Sequence, residues 1–106
     1  MLAYGRYATE AVHGRRYEEF DSNPVLCAAI ERFLEIIGEA ASRVSDTTQQ
    51  QIPDVPWHAI VGMRNRLIHG YGDVDRLIVW KTVTENLPSF ARQVEAFLDA
   101  QQEARD

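Results

Sequence analysis

The sequence is poor in whatever would tie it to an oxidising compartment or a membrane. It has one cysteine, Cys27, so no internal disulfide can form and a reducing compartment, the cytoplasm, is expected. No apolar run approaches the ~20 residues that a membrane-spanning helix needs. No secretory signal is visible; Met1-Leu2-Ala3-Tyr4 reads directly into a helical pattern. No stretch alternates apolar and polar residues as a half-buried strand does, and no internal repeat is visible. Basic residues are scarce too: 11 Lys and Arg against 16 Asp and Glu leave a net charge of −5. Such a surface cannot hold a nucleic acid by general attraction, so a nucleic-acid role needs a local basic site. The charge also leaves room for a basic protein partner.

What is present is helical. A chain of 106 residues is one domain, 1–106, and 45% hydrophobic residues suffice for a small core. Residues 2–14 read as a short helix weakened by Gly5 and Gly14, and 15–20 as a turn or half-helix. Asn23 can cap a helix whose first position is Pro24 and whose pattern runs to about Val44. Its apolar residues cover about half the circumference at ~100° per residue, more than one neighbouring helix requires. The surplus arc is expected to bury a further helix or a second chain. Cys27 lies on that pattern and reads as a buried thiol rather than a nucleophile. Glu31, Glu35 and Glu39 form an acidic row at four-residue spacing. A solvated face is its simplest reading; the alternative is that Glu39 orients an arginine. Gly38 inside the helix costs about 1 kcal/mol relative to Ala, which close helix packing would explain.

Residues 45–55 read as a loop with room for one helical turn, and 56–69 as a third helix started by Pro56. A tight loop over 70–75 follows. A fourth helix then reaches about Asn86, Pro88 breaks or restarts the chain, and a fifth helix frays after Leu98. The fold class expected is all-α, an antiparallel helical bundle of four to five helices with short connections.

The chemistry concentrates in Arg64-Asn65-Arg66-Leu67-Ile68-His69-Gly70-Tyr71. Arg offers a planar fork of donors to phosphate oxygens. His takes or gives a proton near neutral pH. Tyr carries a hydroxyl that can donate, accept or be modified. The plain alternative is an amphipathic helix with a polar face ending at Gly70. Asn65 and His69, four apart, share a face. Arg64 and His69, five apart, diverge by about 140° on an ideal helix. They share a site if the helix loosens at Gly70 or if they converge across a symmetric dimer. Asp75 reads as a helix cap, and Asp73 with Asp75 make no convincing metal set. His13 and His58 read as surface histidines.

The spacing Arg64, four residues, His69, one residue, Tyr71 resembles the signature of the HEPN superfamily. The segments 31–41, Pro56-Trp57, Gly62 to Tyr71, Val79-Trp80 and Leu87-Pro88 resemble its HepT-like branch, over about residues 20 to 98. The first segment is shorter than is usual there. The resemblance implies a symmetric homodimer acting as the toxin of a type VII-like HEPN/MNT toxin–antitoxin module. It implies a metal-independent RNA endonuclease without cofactor, with RNA and not DNA as substrate, and a composite site at the dimer interface. It makes Arg64 and His69 catalytic and Asn65 a catalytic support; the residues themselves add Arg66, a local positive charge, and Glu39 as further supports. Tyr71 becomes the acceptor of AMP from the partner, a minimal nucleotidyltransferase antitoxin (MNT), which silences the toxin. The residues agree with that chemistry. Cleavage of RNA by its own 2′-hydroxyl, leaving a 2′,3′-cyclic phosphate, needs a base, an acid and charge stabilisation, but no metal. Two other readings stay open: a non-catalytic nucleotide- or partner-binding HEPN domain, and a purely structural helical dimer.

Overall fold

Among the described residues seven α-helices follow one another: α1 (Leu2–Val12), α2 (Tyr17–Asp21), α3 (Pro24–Ser42), α4 (Asp46–Gln51), α5 (Trp57–His69), α6 (Arg76–Lys81) and α7 (Leu87–Arg105). This computed structural model describes residues 2–70 and 74–105, among which there is no strand. The all-helical expectation holds. The element boundaries follow local chemistry. Asn23 Oδ1 accepts from Leu26 N at 3.0 Å with Pro24 at the first position of α3. Ser45 Oγ accepts from Thr48 N at 3.1 Å, so the single turn expected in the 45–55 loop is α4. Asp75 Oδ1 accepts from Leu77 N at 2.8 Å at the start of α6. Each cap satisfies an amide that the helix leaves unpaired. Gly14 ends the first segment with φ +73°, a left-handed conformation that favours glycine.

The core lies around α3, which packs against α1 on one side and α5 on the other. Phe20, Ile30, Ile37, Ile60, Val79, Val83, Leu87 and Phe90 are fully buried. Burial of each is worth about 1.5–3 kcal/mol. The short helix α2 adds an aromatic cluster, with Phe20 and Trp80 ring centroids 5.4 Å apart and Tyr17 6.1 Å from Trp80. It is tied to α6 by Arg76 Nη1, which donates to the Asp21 carbonyl at 2.6 Å. Trp57 stands edge-on to Phe90 at 6.0 Å, and its indole N–H donates to Ile52 O at 3.1 Å.

Pro88 behaves differently from expectation. It neither breaks nor restarts the chain: the helix runs from Arg76 through to Arg105, with one wide turn, a π-turn over Thr82–Asn86, joining α6 to α7. There Leu87 N–H donates to Thr82 O, five residues back. Proline lacks an N–H and its ring crowds the carbonyl four residues earlier. The wider turn accommodates that crowding without ending the helix. The hydroxyls of Thr82 and Thr84 reach back to Ile78 O and Trp80 O, each at 2.8 Å. The radius of gyration, 14.3 Å, exceeds the ~13 Å of a compact chain of this size. The end of α7 lies outside the core, with residues 98–105 all exposed.

Candidate functional site

The site begins where α3 and α5 touch. Gly38 is buried on α3, and a Cβ built there would clash with Arg64 Cβ and lie 2.9 Å from its Cγ. The missing side chain is therefore the room that the Arg64 stem occupies. The close packing inferred from Gly38 is present, and what it admits is the arginine. On the next residue of α3, Glu39 Oε2 takes Arg64 Nη2 at 2.6 Å. Arg64 Nη1 donates to Asn65 Oδ1 at 2.9 Å. Glu39 Oε1 takes Arg43 Nη2 at 3.1 Å, so one carboxylate holds two guanidinium groups. The Arg64 side chain is 26% exposed. Its Nε–H is buried with no acceptor among the described residues. Both ends of the fork are thus held and its outer edge meets solvent in a groove of about 540 Å³, lined by Arg32, Glu35, Glu39, Arg43, Arg64 and Ile68 among others.

The acidic row is accordingly not a plain solvated face. Glu31, Glu35 and Glu39 are half-buried; Glu35 pairs with Arg32 at 3.1 Å and Glu39 with two arginines. Asn65 is drawn to Arg64 rather than to His69, its neighbour one turn on. His69 is the last residue of α5 and is exposed. Its register places it about 140° round the helix from Arg64. One chain therefore brings Arg64, Asn65 and Glu39 together and leaves His69 on another face. Arg66 is exposed and lines a pocket with Gly70, Val74, Asp75 and Ile78. Tyr71 and Asp73 lie outside the described residues. Asp75 serves as a cap, and no cluster of three metal-ligating side chains occurs among the described residues.

Cys27 is buried, and its thiol donates to Phe20 O at 3.1 Å. Burial pushes the thiol pKa up, which keeps it protonated and unreactive. Sequence reasoning passed over Arg43. Its signal was the four-residue spacing from Glu39, the favourable order for a helical ion pair.

The family described as "Ribonuclease HepT-like" matches residues 1–97. The chain belongs to that family. The match takes in α1 and α2 as well as the later segments that carry the motif. Among its relatives, "Putative RNase TTE0752" of Caldanaerobacter subterraneus subsp. tengcongensis is 38% identical over 98 residues, covering 92% of this chain and 88% of that protein. "Putative RNase MJ1380" of Methanocaldococcus jannaschii is 42% identical over 79 residues, 74% of this chain and 72% of that one. "Probable ribonuclease HepT" of Thermococcus cleftensis is 38% identical over 79 residues, with the same shares. No solved structure matches the chain at a significant level. No helix among the described residues of this HepT-like protein is long and apolar enough to cross a membrane.

Proposed function

We propose that this HepT-like chain is an RNA endonuclease, the cytoplasmic toxin of a toxin–antitoxin pair, that works as a symmetric homodimer. The observation that carries the reading is the held arginine: Arg64, fixed by Glu39 and Asn65, opens onto a groove one helix face away from His69. In the reaction the 2′-oxygen attacks the adjacent phosphorus as a base removes its proton. The 5′-oxygen leaves with a proton from an acid, and the product ends in a 2′,3′-cyclic phosphate. One His69 serves as base and the other as acid. Arg64 grips the phosphate and meets the charge that develops on it. No step requires a metal.

The dimer answers the divergence of Arg64 and His69 within one chain. An apolar strip on the outside of α3 supports it. Val25 is 80% exposed, Ala29, Phe33, Ile36 and Ala40 are half-buried, and Ile68 is exposed at the end of α5. Closing that strip against its two-fold copy would bring one Arg64 groove toward the other chain's His69. Tyr71, two residues after His69, is the proposed acceptor of AMP from a nucleotidyltransferase antitoxin. The added anion would oppose RNA at a site whose attraction depends on local charge.

Purified protein incubated with RNA in excess EDTA tests the reading. Cleavage leaving a cyclic phosphate is expected from the parent, and none from His69→Ala purified identically. Equal cleavage by both, or none by the parent freed of AMP, would overturn it. Sedimentation at micromolar concentration should show a dimer.

A further inference from the structure

On the face of α5 turned away from Glu39 lies a second groove. It has a volume of about 250 Å³ and is walled by His58, Gly62 and Arg66 from α5 and by Ile78, Thr82 and Asn86 from α6 and the π-turn. Arg66 and Ile78 also line the pocket that continues it to Gly70, Val74 and Asp75, whose carboxylate caps α6. Register places His58, Gly62, Asn65, Arg66 and His69 within about 100° on the helix, so the groove runs alongside His69.

Three features of it lack a structural reason. Gly62 stands in the middle of a helix, where glycine is unfavourable, yet a Cβ there would meet nothing within 4 Å. Packing does not demand it, in contrast to Gly38. A bare helix backbone lets a ligand approach closely. Next, Arg6, Arg16, Arg32, Arg43, Arg64 and Arg76 each hold a carboxylate. Arg66, like Arg15, Arg92 and Arg105, holds none among the described residues, and of these four it is the one that lines this groove. Finally, Asn86, which the π-turn sets in the wall, is half-buried and makes no side-chain hydrogen bond among the described residues.

We propose that this groove seats the single-stranded RNA that flanks the scissile phosphate. Arg66 takes a flanking phosphate, Asn86 and His58 offer hydrogen bonds to ribose or base edges, and Gly62 is the floor that leaves room for the strand. The proposal rests on the ribonuclease reading of His69 and adds a binding track to it.

The test measures binding apart from cleavage. Fluorescence anisotropy of a labelled single-stranded RNA is recorded on His69→Ala, alone and combined with Arg66→Ala, Gly62→Leu or Arg105→Ala. Arg105 is an exposed cation at the far end of α7 and serves as control. Arg66→Ala should raise Kd about tenfold and lower the salt slope by about one. Gly62→Leu should raise Kd by at least about tenfold with no fall in melting temperature, since leucine favours the helix. Arg105→Ala should bind as the His69→Ala parent does. Unchanged Kd in both groove variants overturns the track, as does a loss confined to dimerisation or antitoxin binding. If the active chain still cleaves RNA in that case, the ribonuclease reading survives; if the unmodified chain neither binds nor cuts RNA, both fall.

Discussion

Gly38 and Arg64 share one space: the stem of the arginine lies where a side chain on the glycine would begin. The contact that brings α3 against α5 is thus the same contact that seats the cation. Helix packing and site geometry are one constraint here, and a change in the first is read out in the second.

Gly38→Ala tests that identity. Alanine recovers about 1 kcal/mol of helix propensity, but its Cβ must displace Arg64 Cβ and Cγ in a packed interface, at about 1–3 kcal/mol. The expected result is a small net loss of stability in urea titration and a large loss of RNA cleavage. A stabilised, fully active variant would show that the two helices move apart freely.

Glu39 is expected to act through Arg64. Both side chains are partly exposed, 26% for Arg64 and 40% for Glu39, so screening keeps the pair's contribution to stability below about 1 kcal/mol. Catalysis is more sensitive, because a misplacement of ~1 Å can cost about 100-fold. Glu39→Ala should lower kcat by about 10- to 100-fold with little change in melting temperature. Glu39→Gln, which keeps one acceptor, should fall between it and the parent.

Arg64→Lys should fail to replace the parent. Lysine delivers a point charge but cannot bond Glu39, Asn65 and a phosphate with one rigid fork. The assay is single-turnover cleavage, with loss of at least about 100-fold expected, in line with removal of a transition-state donor. A heterodimer of the parent chain with His69→Ala keeps both Arg64 residues but one His69, so it should lose activity nearly as far as the His69→Ala homodimer if base and acid come from the two chains. Half-parent activity in proven heterodimers would show that a single His69 suffices.

Tyr71→Phe should block transfer of AMP by the cognate nucleotidyltransferase with ATP and magnesium. Intact mass should rise by one or more AMP units in the parent and stay constant in the variant. An adduct retained in Tyr71→Phe would send the search to Tyr4, Tyr7 and Tyr17.

Cys27 supplies a pH signature. Its pKa is raised in the folded protein by burial, so the folded state holds the proton more tightly than the unfolded chain. The stability this contributes is complete below the ordinary thiol pKa of about 8.5 and is lost as pH rises through the folded value. Cys27→Ala should flatten that alkaline slope. In the parent, a thiol reagent at pH 8 should label Cys27 only after denaturant is added.

Local signals were legible wherever one residue type answers one backbone need. Asn23 with Pro24, and Asp75, announced helix starts that the structure contains, and Gly38 announced a close approach. The polar octapeptide, with the segments around it, was enough to reach the family. What could not be read was which partner each charged side chain takes. A solvated face was the simpler reading of Glu39, and its arginine partner emerged only once α3 and α5 were placed side by side. Arg43 became relevant only because Glu39 has two oxygens. Pro88 misled because proline's local cost is real, yet a neighbouring wide turn can absorb it. Gly62 gave no sign in sequence, since an open glycine and a packed one are spelled alike.

The π-turn has a consequence for how this chain can vary in length. A turn that closes on the fifth residue instead of the fourth carries one surplus residue. Deleting one residue within 82–86 would return the segment to ordinary pitch and leave the helix after it close to its present register, because the wide turn already absorbs the surplus residue. Phe90 and Val94, now buried, would keep their places in the core, and what would return is the crowding at Pro88. The junction of α6 and α7 is therefore where the chain can lose one residue at the cost of that proline contact, whereas a deletion in the regular turns between Pro88 and Val94 would turn the apolar face by about 100°.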